Sequence, residues 1–443
     1  MAVSRAVDRA PVVSRIPPPF DRRTLEHPYF EPGPRRVGHF LVASFVLLPL
    51  LVPSGPGNTG LADLGIVAAV IAVFVWLHAK RMVVTMPYLL PMGLLMVAGA
   101  VAAYLAAAES AALAVVQDLF LLLWAAAVAN AVRHRRWLLD LVLRAWVWSG
   151  VAWAAVMCFG WIAGINWLAG VTAEDGGRAS LTFDDPNLAA NYFLVVIGLV
   201  LATSVVRHRL TRCLVIAILL LAILFTGSNG AALALGTMGV VGVLLLVRRR
   251  RGVLAATALA TLSAVALALL APYVSLSGIR ASAADSAQLL RDSLGRTDES
   301  SGSRQVLASE TLRLYLQGDL VGVGPGRTKA TLKGTAAPYV KEAHNDYLAT
   351  IVERGALGGA GLTVLIAVVA VRLARTVRKP QTEWVRHLVP RPEFLLALGC
   401  GFVVSAFFYE VLHFRHLWAF LGLVAGLDPG AWMLASVRRR WNR

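Results

Sequence analysis

The chain has 443 residues, of which 58% are hydrophobic and 15% charged, and its formal net charge is +17. A mean hydropathy of +0.67, delivered in apolar runs of about twenty residues, excludes a soluble globular enzyme and describes an all-α, polytopic membrane protein. The positive charge is broken into clusters that flank the apolar runs, which argues against a nucleic-acid partner and for a lipid bilayer.

Residues 1–37 are polar, proline-rich and basic, with Arg5, Arg9, Arg15, Arg22, Arg23, Arg35 and Arg36. They lack a small-residue cleavage site behind a short apolar core, so they read as a cytoplasmic tail rather than a signal peptide. About twelve transmembrane helices are expected, beginning near Gly38, Leu61, Met82, Ser110, Trp137, Asn187, Leu210, Ser228, Val253, Tyr347, Glu393 and Arg415. Nine of them fall within 38–274 and three within 347–436, and a second basic tail closes the chain at 437–443. Cations recur at Lys80-Arg81, Arg133 to Arg136, Arg207 to Arg212, Arg248 to Arg251, Arg372 to Lys379 and Arg438 to Arg443, at every second turn. The positive-inside rule then places both termini in the cytoplasm, with the protein in a cell inner or plasma membrane. Each cluster is most simply a topogenic flank touching anionic lipid. Cys158, Cys213 and Cys400 show no paired spacing and read as packing residues rather than disulfide, zinc or thiol chemistry.

Two outward turns are long enough to carry chemistry. The first, over 166–187, holds Arg178 and the string Phe183-Asp184-Asp185-Pro186-Asn187. An arginine grips a phosphate bidentately and stays charged at a membrane surface. The paired aspartates could bind a divalent metal, but a turn into a helix capped by Asp185 or Asn187 ranks higher. The second, over 275–346, is far longer than an ordinary connection and reads as a functional extracytoplasmic loop. Within it Ser303 is the expected N-cap of a surface helix from Arg304 to Gln317, stopped by Gly318-Asp319. Then come Gly322-Val323-Gly324-Pro325-Gly326 and Arg327, Lys329, Lys333 and Lys341, where glycines allow close backbone approach and cations favour an anion. Taken alone, these glycines fit an ordinary turn equally well.

His344 stands just before a helix capped by Asn345 or Asp346. A neutral imidazole there can act as a general base, although an isolated histidine is more often a turn residue. Glu353 is a carboxylate inside the next apolar run, which needs a partner; Arg354 or an outward arginine is expected to supply it. Gly355 and Gly359 form a small-xxx-small face suited to helix packing. Thr226-Gly227-Ser228-Asn229-Gly230 forms a tight polar hairpin, and Glu410, His413, Arg415 and His416 crowd a short outward turn. Asp140 and Arg144, spaced i,i+4, read as a surface ion pair, and Asp118 is assigned a structural role with Arg144 in reach.

These strings together resemble the O-antigen ligase and polymerase superfamily of membrane glycosyltransferases: Arg178 with Phe183 to Asn187, Thr226 to Gly230, Arg304, Gly322 to Gly326, then His344-Asn345-Asp346-Tyr347-Leu348, Glu353-Arg354-Gly355 and Gly358. The resemblance runs from about Arg178 to the last spans. It implies a GT-C-like fold and an inverting, metal-independent transfer, with no cofactor, from a polyprenyl-diphosphate-linked glycan to a hydroxyl of a glycan or lipid acceptor. Carried over by position, His344 is the base and Arg178 and Arg304 hold the diphosphate. Candidate cavity-lining residues are Asn187, Ser228, Asn229, Gly324, Gly326, Arg327, Asn345, Glu353, His413, Arg415 and His416. The family has an arginine after the serine where this chain has Ser228-Asn229, and Arg415 or Arg327 is the candidate substitute. A secondary transporter or lipid-glycan flippase is the alternative; it predicts internal repeats and midplane charges at broken helices, and the sequence shows neither.

Overall fold

The computed structural model describes residues 32–52, 59–172, 177–270, 298–318, 320–334, 344–379 and 381–429. Residues 1–31 of the first basic tail, the second basic tail and the start of the long loop thus lie outside the described residues, whereas 32–37, expected to be tail, begin the first helix. The helices are α1 (Pro32–Leu47), α2 (Leu61–Ala79), α3 (Leu89–Ala106), α4 (Glu109–His134), α5 (Arg136–Ile162), α6 (Asn166–Ala169), α7 (Pro186–Ala202), α8 (Arg209–Thr226), α9 (Asn229–Arg251), α10 (Val253–Leu270), α11 (Asp298–Gln317), α12 (Thr328–Gly334), α13 (Asp346–Arg378), α14 (Glu383–Leu388), α15 (Glu393–Ser405) and α16 (Arg415–Leu427). Val171 and Ala179 form an isolated antiparallel bridge.

Helices stand at all twelve places where apolar runs were expected. Seven of them (α2, α3, α4, α5, α8, α9 and α13) are long and apolar enough to cross a membrane, and α7, α15 and α16 are shorter apolar helices. The chain is therefore a multi-pass membrane protein.

The short helices sit deepest. Pro at the first turn and Asp185 as N-cap start α7, and its residues Ala189 to Val200 are buried on every side. A helix apolar all round belongs in the centre of a bundle. α16 lies along α4 with Gly422 and Gly426 facing the α4 backbone at Ala125 and Ala129, where a β-carbon would collide. Small residues allow this approach, which replaces the missing hydrophobic drive between helices in lipid. α10 is exposed along most of its length and packs on α9, as a lipid-facing helix does.

Hydrogen bonds tie one end of the bundle across helices: Asn191 on α7 to Ser405 on α15 at 2.9 Å, Asp346 N–H to the Ala406 carbonyl at 2.9 Å, and Arg415 on α16 to Asp63 on α2 at 3.0 Å through both Nε and Nη2. The opposite end gathers the arginine-rich termini of α9 and α13.

Three expectations need correction. α11 begins at Asp298, so Ser303 is internal to it rather than its cap; Asp298 and Glu299 are residue types favoured where the helix dipole is positive. Gly355 is no packing glycine of a regular helix. Its φ of +63° breaks α13, and a β-carbon there would collide with the Leu320 carbonyl, so its close neighbour is a loop. Asp118 pairs with Arg354 and not Arg144, which holds Asp140 at 2.9 Å as expected. Helix periodicity fixes a partner four residues away but not one 236 positions on.

Candidate active site

The site is assembled from the ends of helices. Asn345 caps α13 by accepting from the N–H groups of Tyr347 and Leu348 at 3.0 and 3.1 Å, as an Asn before an apolar run is built to do. The buried Asp346 carboxylate accepts the Val411 N–H at 2.8 Å and that of Leu412 at 3.3 Å. With the Asp346 N–H on Ala406, this fastens the start of α13 to the turn between α15 and α16. His344 precedes this knot, half-buried, with a φ of +47°.

Five residues into α13 beyond the cap contacts, Glu353 clamps the glycine loop. Its carboxylate accepts the Gly326 N–H at 2.8 Å, the Thr328 hydroxyl at 2.8 Å and the Thr328 N–H at 3.3 Å. These charge-assisted bonds compensate for burying the carboxylate. Glu353 is thus satisfied by the loop rather than by Arg354, which the sequence had offered as its partner. The loop also docks through its backbone: Val323 N–H to Val352 O at 2.9 Å, Gly324 N–H to Glu353 O at 3.0 Å, and Ala356 N–H to Leu320 O at 2.9 Å. Gly322, Gly324 and Gly326 all have positive φ, which is why glycine recurs every second residue. Arg327 donates to the Ala106 carbonyl at 2.9 Å, joining the loop to the end of α3.

Arg178 is nearly buried and donates from Nε to the Thr226 carbonyl at 2.6 Å and from Nη2 to Asn187 at 2.8 Å. The first outward turn, the start of α7 and the α8–α9 hinge therefore meet at one guanidinium. Ser228 caps α9 by accepting from Ala231 N–H and shares a 2.8 Å bond with the Tyr409 hydroxyl, to which Gly230 N–H also donates at 3.2 Å. Asn229 is the first residue of α9. Asp185 accepts the Asn187 N–H at 2.7 Å, the helix-capping role preferred for it over metal binding.

A small cavity of about 20 Å³ lies between α3, α4, α13 and the α15–α16 turn, and is lined by Asp118, Asp346, Glu353, Arg354, Glu410 and His413, with Trp418 and Met92 among its apolar walls. His413 is 42% exposed and 3.9 Å from Glu410. Desolvation lowers its pKa; Asp118 and Glu353 oppose this while Arg354 and Arg415 add to it.

Of the residues singled out in the sequence, the structure joins Arg178, Asn187 and the 226–230 hinge, and brings Glu353 and His413 to one cavity with Gly326 bonded to Glu353. Arg415 is engaged by Asp63. His416 is buried among the rings of Tyr192, Phe402 and Phe414. The Arg304 side chain lies outside the described residues. Sequence reasoning missed Tyr409, Asn191, Ser405 and Asp63. Asp63 carried a usable signal, a carboxylate at the start of an apolar run; the other three are ordinary residue types for such helices.

The O-antigen ligase family model matches residues 214–363, from α8 to the middle of α13. The match covers about a third of the chain and makes that segment similar to the O-antigen ligase family. It encloses the 226–230 hinge, Arg304, the glycine loop, His344 and Glu353, and leaves Arg178 and the 405–416 turn outside. No curated protein matches the chain.

Proposed function

We propose that the chain transfers a glycan from a polyprenyl diphosphate carrier to an acceptor hydroxyl on the extracytoplasmic side of the membrane, with inversion at the anomeric carbon. The observation that carries this reading is the family match over 214–363, which covers the segment whose polar groups gather at one end of the bundle. His344 accepts the proton of the acceptor hydroxyl as its oxygen attacks the anomeric carbon. The bond from that carbon to the diphosphate oxygen breaks on the opposite face, and the electron pair leaves with the lipid diphosphate. Arg178 and Arg304 neutralise the leaving group, charge that a divalent cation would otherwise have to balance. The Thr226 carbonyl and Asn187 hold the Arg178 guanidinium in place before the donor arrives, which favours this role.

Arg327 is the better substitute for the arginine absent beside Ser228, because Arg415 is committed bidentately to Asp63 whereas, among the described residues, the Arg327 guanidinium makes a single bond, to the Ala106 carbonyl. The region 275–346 is the extracytoplasmic catalytic segment in this reading. Transport is disfavoured, since the charged groups outside the Asp118–Arg354 pair collect at the two ends of the bundle. The test is full-length protein in liposomes with a lipid-linked glycan and an acceptor. Formation of a new glycosidic bond, insensitive to chelator and slowed about a hundredfold to ten-thousandfold in His344→Ala, is expected. Movement of intact donor across the bilayer without bond formation would replace this reading with transport.

A further inference from the structure

The ends of α9, α13 and α14 and the start of α15 line a second cavity, of about 610 Å³, at the face opposite the candidate active site. Arg248, Arg249, Arg378, Lys379 and Arg386 line it, against one carboxylate, Glu393. That carboxylate is buried and already engaged by Arg249 at 3.0 and 3.2 Å. The other four cations form no ion pair among the described residues. Just behind the wall, burial and then the Arg212 and Arg250 guanidiniums push the Arg391 pKa down, with Glu393 opposing. Like charges on concave, low-dielectric walls concentrate a field that an anion relieves. A topogenic flank needs charge on the correct side, but it does not need a chamber.

The chamber is also half apolar. Leu245, Val377 and Leu396 share its wall with the cations, and Leu396 lines in addition an apolar groove of about 140 Å³ between α13 and α15, together with Val369, Leu373 and Cys400. Leu396 thus stands on the walls of both the basic chamber and the apolar groove. We propose that this cavity binds the phosphate of an anionic phospholipid, with its acyl chains lying along the α13–α15 groove. The ligand is independent of the glycan chemistry at the other face, and occupancy braces the two halves of the groove against each other.

The experiment uses full-length protein in neutral detergent, titrated separately with short-chain phosphatidylglycerol, short-chain phosphatidylcholine and inorganic phosphate. Native mass spectrometry reads bound lipid, and thermal unfolding reads protection. Wild type is expected to bind phosphatidylglycerol about tenfold or more tighter than phosphatidylcholine, and the variant Arg248→Gln/Arg378→Gln/Arg386→Gln to lose that margin. Its counterpart with Lys at the three positions keeps it, as does Arg36→Gln/Arg81→Gln/Arg209→Gln, which removes three exposed cations elsewhere. If the first variant does not fold, Arg386→Gln alone, on the short α14, is expected to weaken phosphatidylglycerol binding severalfold. No preference in wild type, equal loss in the remote variant, or no effect of Arg386→Gln overturns the proposal. Protection by inorganic phosphate equal to that by phosphatidylglycerol overturns the lipid as the source.

Discussion

His344 holds a left-handed backbone conformation, φ +47°, that costs a residue with a β-carbon about 1–2 kcal/mol, and it does so immediately before the cap of α13. Strain of this kind persists where the surroundings over-determine it and concentrates at functional positions. Two substitutions separate the backbone from the imidazole. His344→Ala and His344→Gly are both expected to lose about a hundredfold to ten-thousandfold in transfer rate, but Gly relieves the strain and is expected to unfold at a higher temperature than Ala. The acidic limb of the wild-type rate profile, where the imidazole protonates and stops accepting a proton, is absent from both. A transfer rate near wild type in either variant returns His344 to the role of a turn residue. Arg178→Ala leaves the Thr226 carbonyl and Asn187 without their donor and removes a charge-assisted contact of about 1.5–3 kcal/mol, so donor affinity falls; Lys restores part of it, lacking the planar fork. Titration of lipid-linked donor measures both. At this scale two caps were legible as one of two neighbouring residues each, because Asp185 and Asn345 act on backbone two or three residues away, whereas Ser303 falls inside a helix that starts at Asp298. The partner of Arg178 was not, since Thr226 contributes a carbonyl, which every residue has.

Between residues and the whole stands the α13 element, which carries the start of the site, the break at Gly355 and the buried Arg354. Gly355→Ala meets both the positive φ and the Leu320 carbonyl, and is expected to destabilise by about 2–4 kcal/mol, with thermal unfolding in detergent as the measure. Glu353→Ala removes the acceptor of the Gly326 N–H and of the two buried donors of Thr328. Faster hydrogen exchange across 322–328, with the rest of α13 protected, is the expected signature; uniform exchange throughout α13 would mean that the clamp is not local. The Asp118–Arg354 pair, with both side chains 9% exposed, gives a third test. Removing either partner strands a buried charge and costs about 3–5 kcal/mol, whereas Asp118→Leu/Arg354→Met together is expected to recover much of that loss. The apolar periodicity of α13 was legible, and Glu353 stood out as a buried carboxylate, but the glycine loop that satisfies it lies 25 residues earlier in the chain and bonds largely through its backbone. No side-chain pattern encodes such a contact.

For the whole molecule the helices were the most legible feature, because an apolar run of about twenty residues has few other uses; helices begin within a few residues of most of the expected starts. Span number was less so, since α15 and α16 are 13 residues each and their length reflects burial inside the bundle rather than bilayer thickness. Sidedness follows from the arginine clusters alone and is tested by labelling. In a background without Cys158, Cys213 and Cys400, Ser301→Cys is expected to react with an impermeant maleimide in intact cells; reaction only after the inner face is opened would reverse the orientation and move the site to the cytoplasm. Loss of the protein in a producing strain is expected to change lipid-linked glycans: single repeats accumulate if it polymerises, full chains if it ligates, as mass spectrometry of the carrier pool distinguishes.

The join between the glycine loop and the break in α13 is made by peptide groups: Leu320, Val323 and Gly324 contribute backbone atoms, and Leu320 is 74% exposed. A joint of this sort is indifferent to the side chains it carries. Leu320 and Val323 can therefore be exchanged for other side chains while the scaffold holds its shape, so the character of this rim can change by point substitution with no refitting of the helices beneath it.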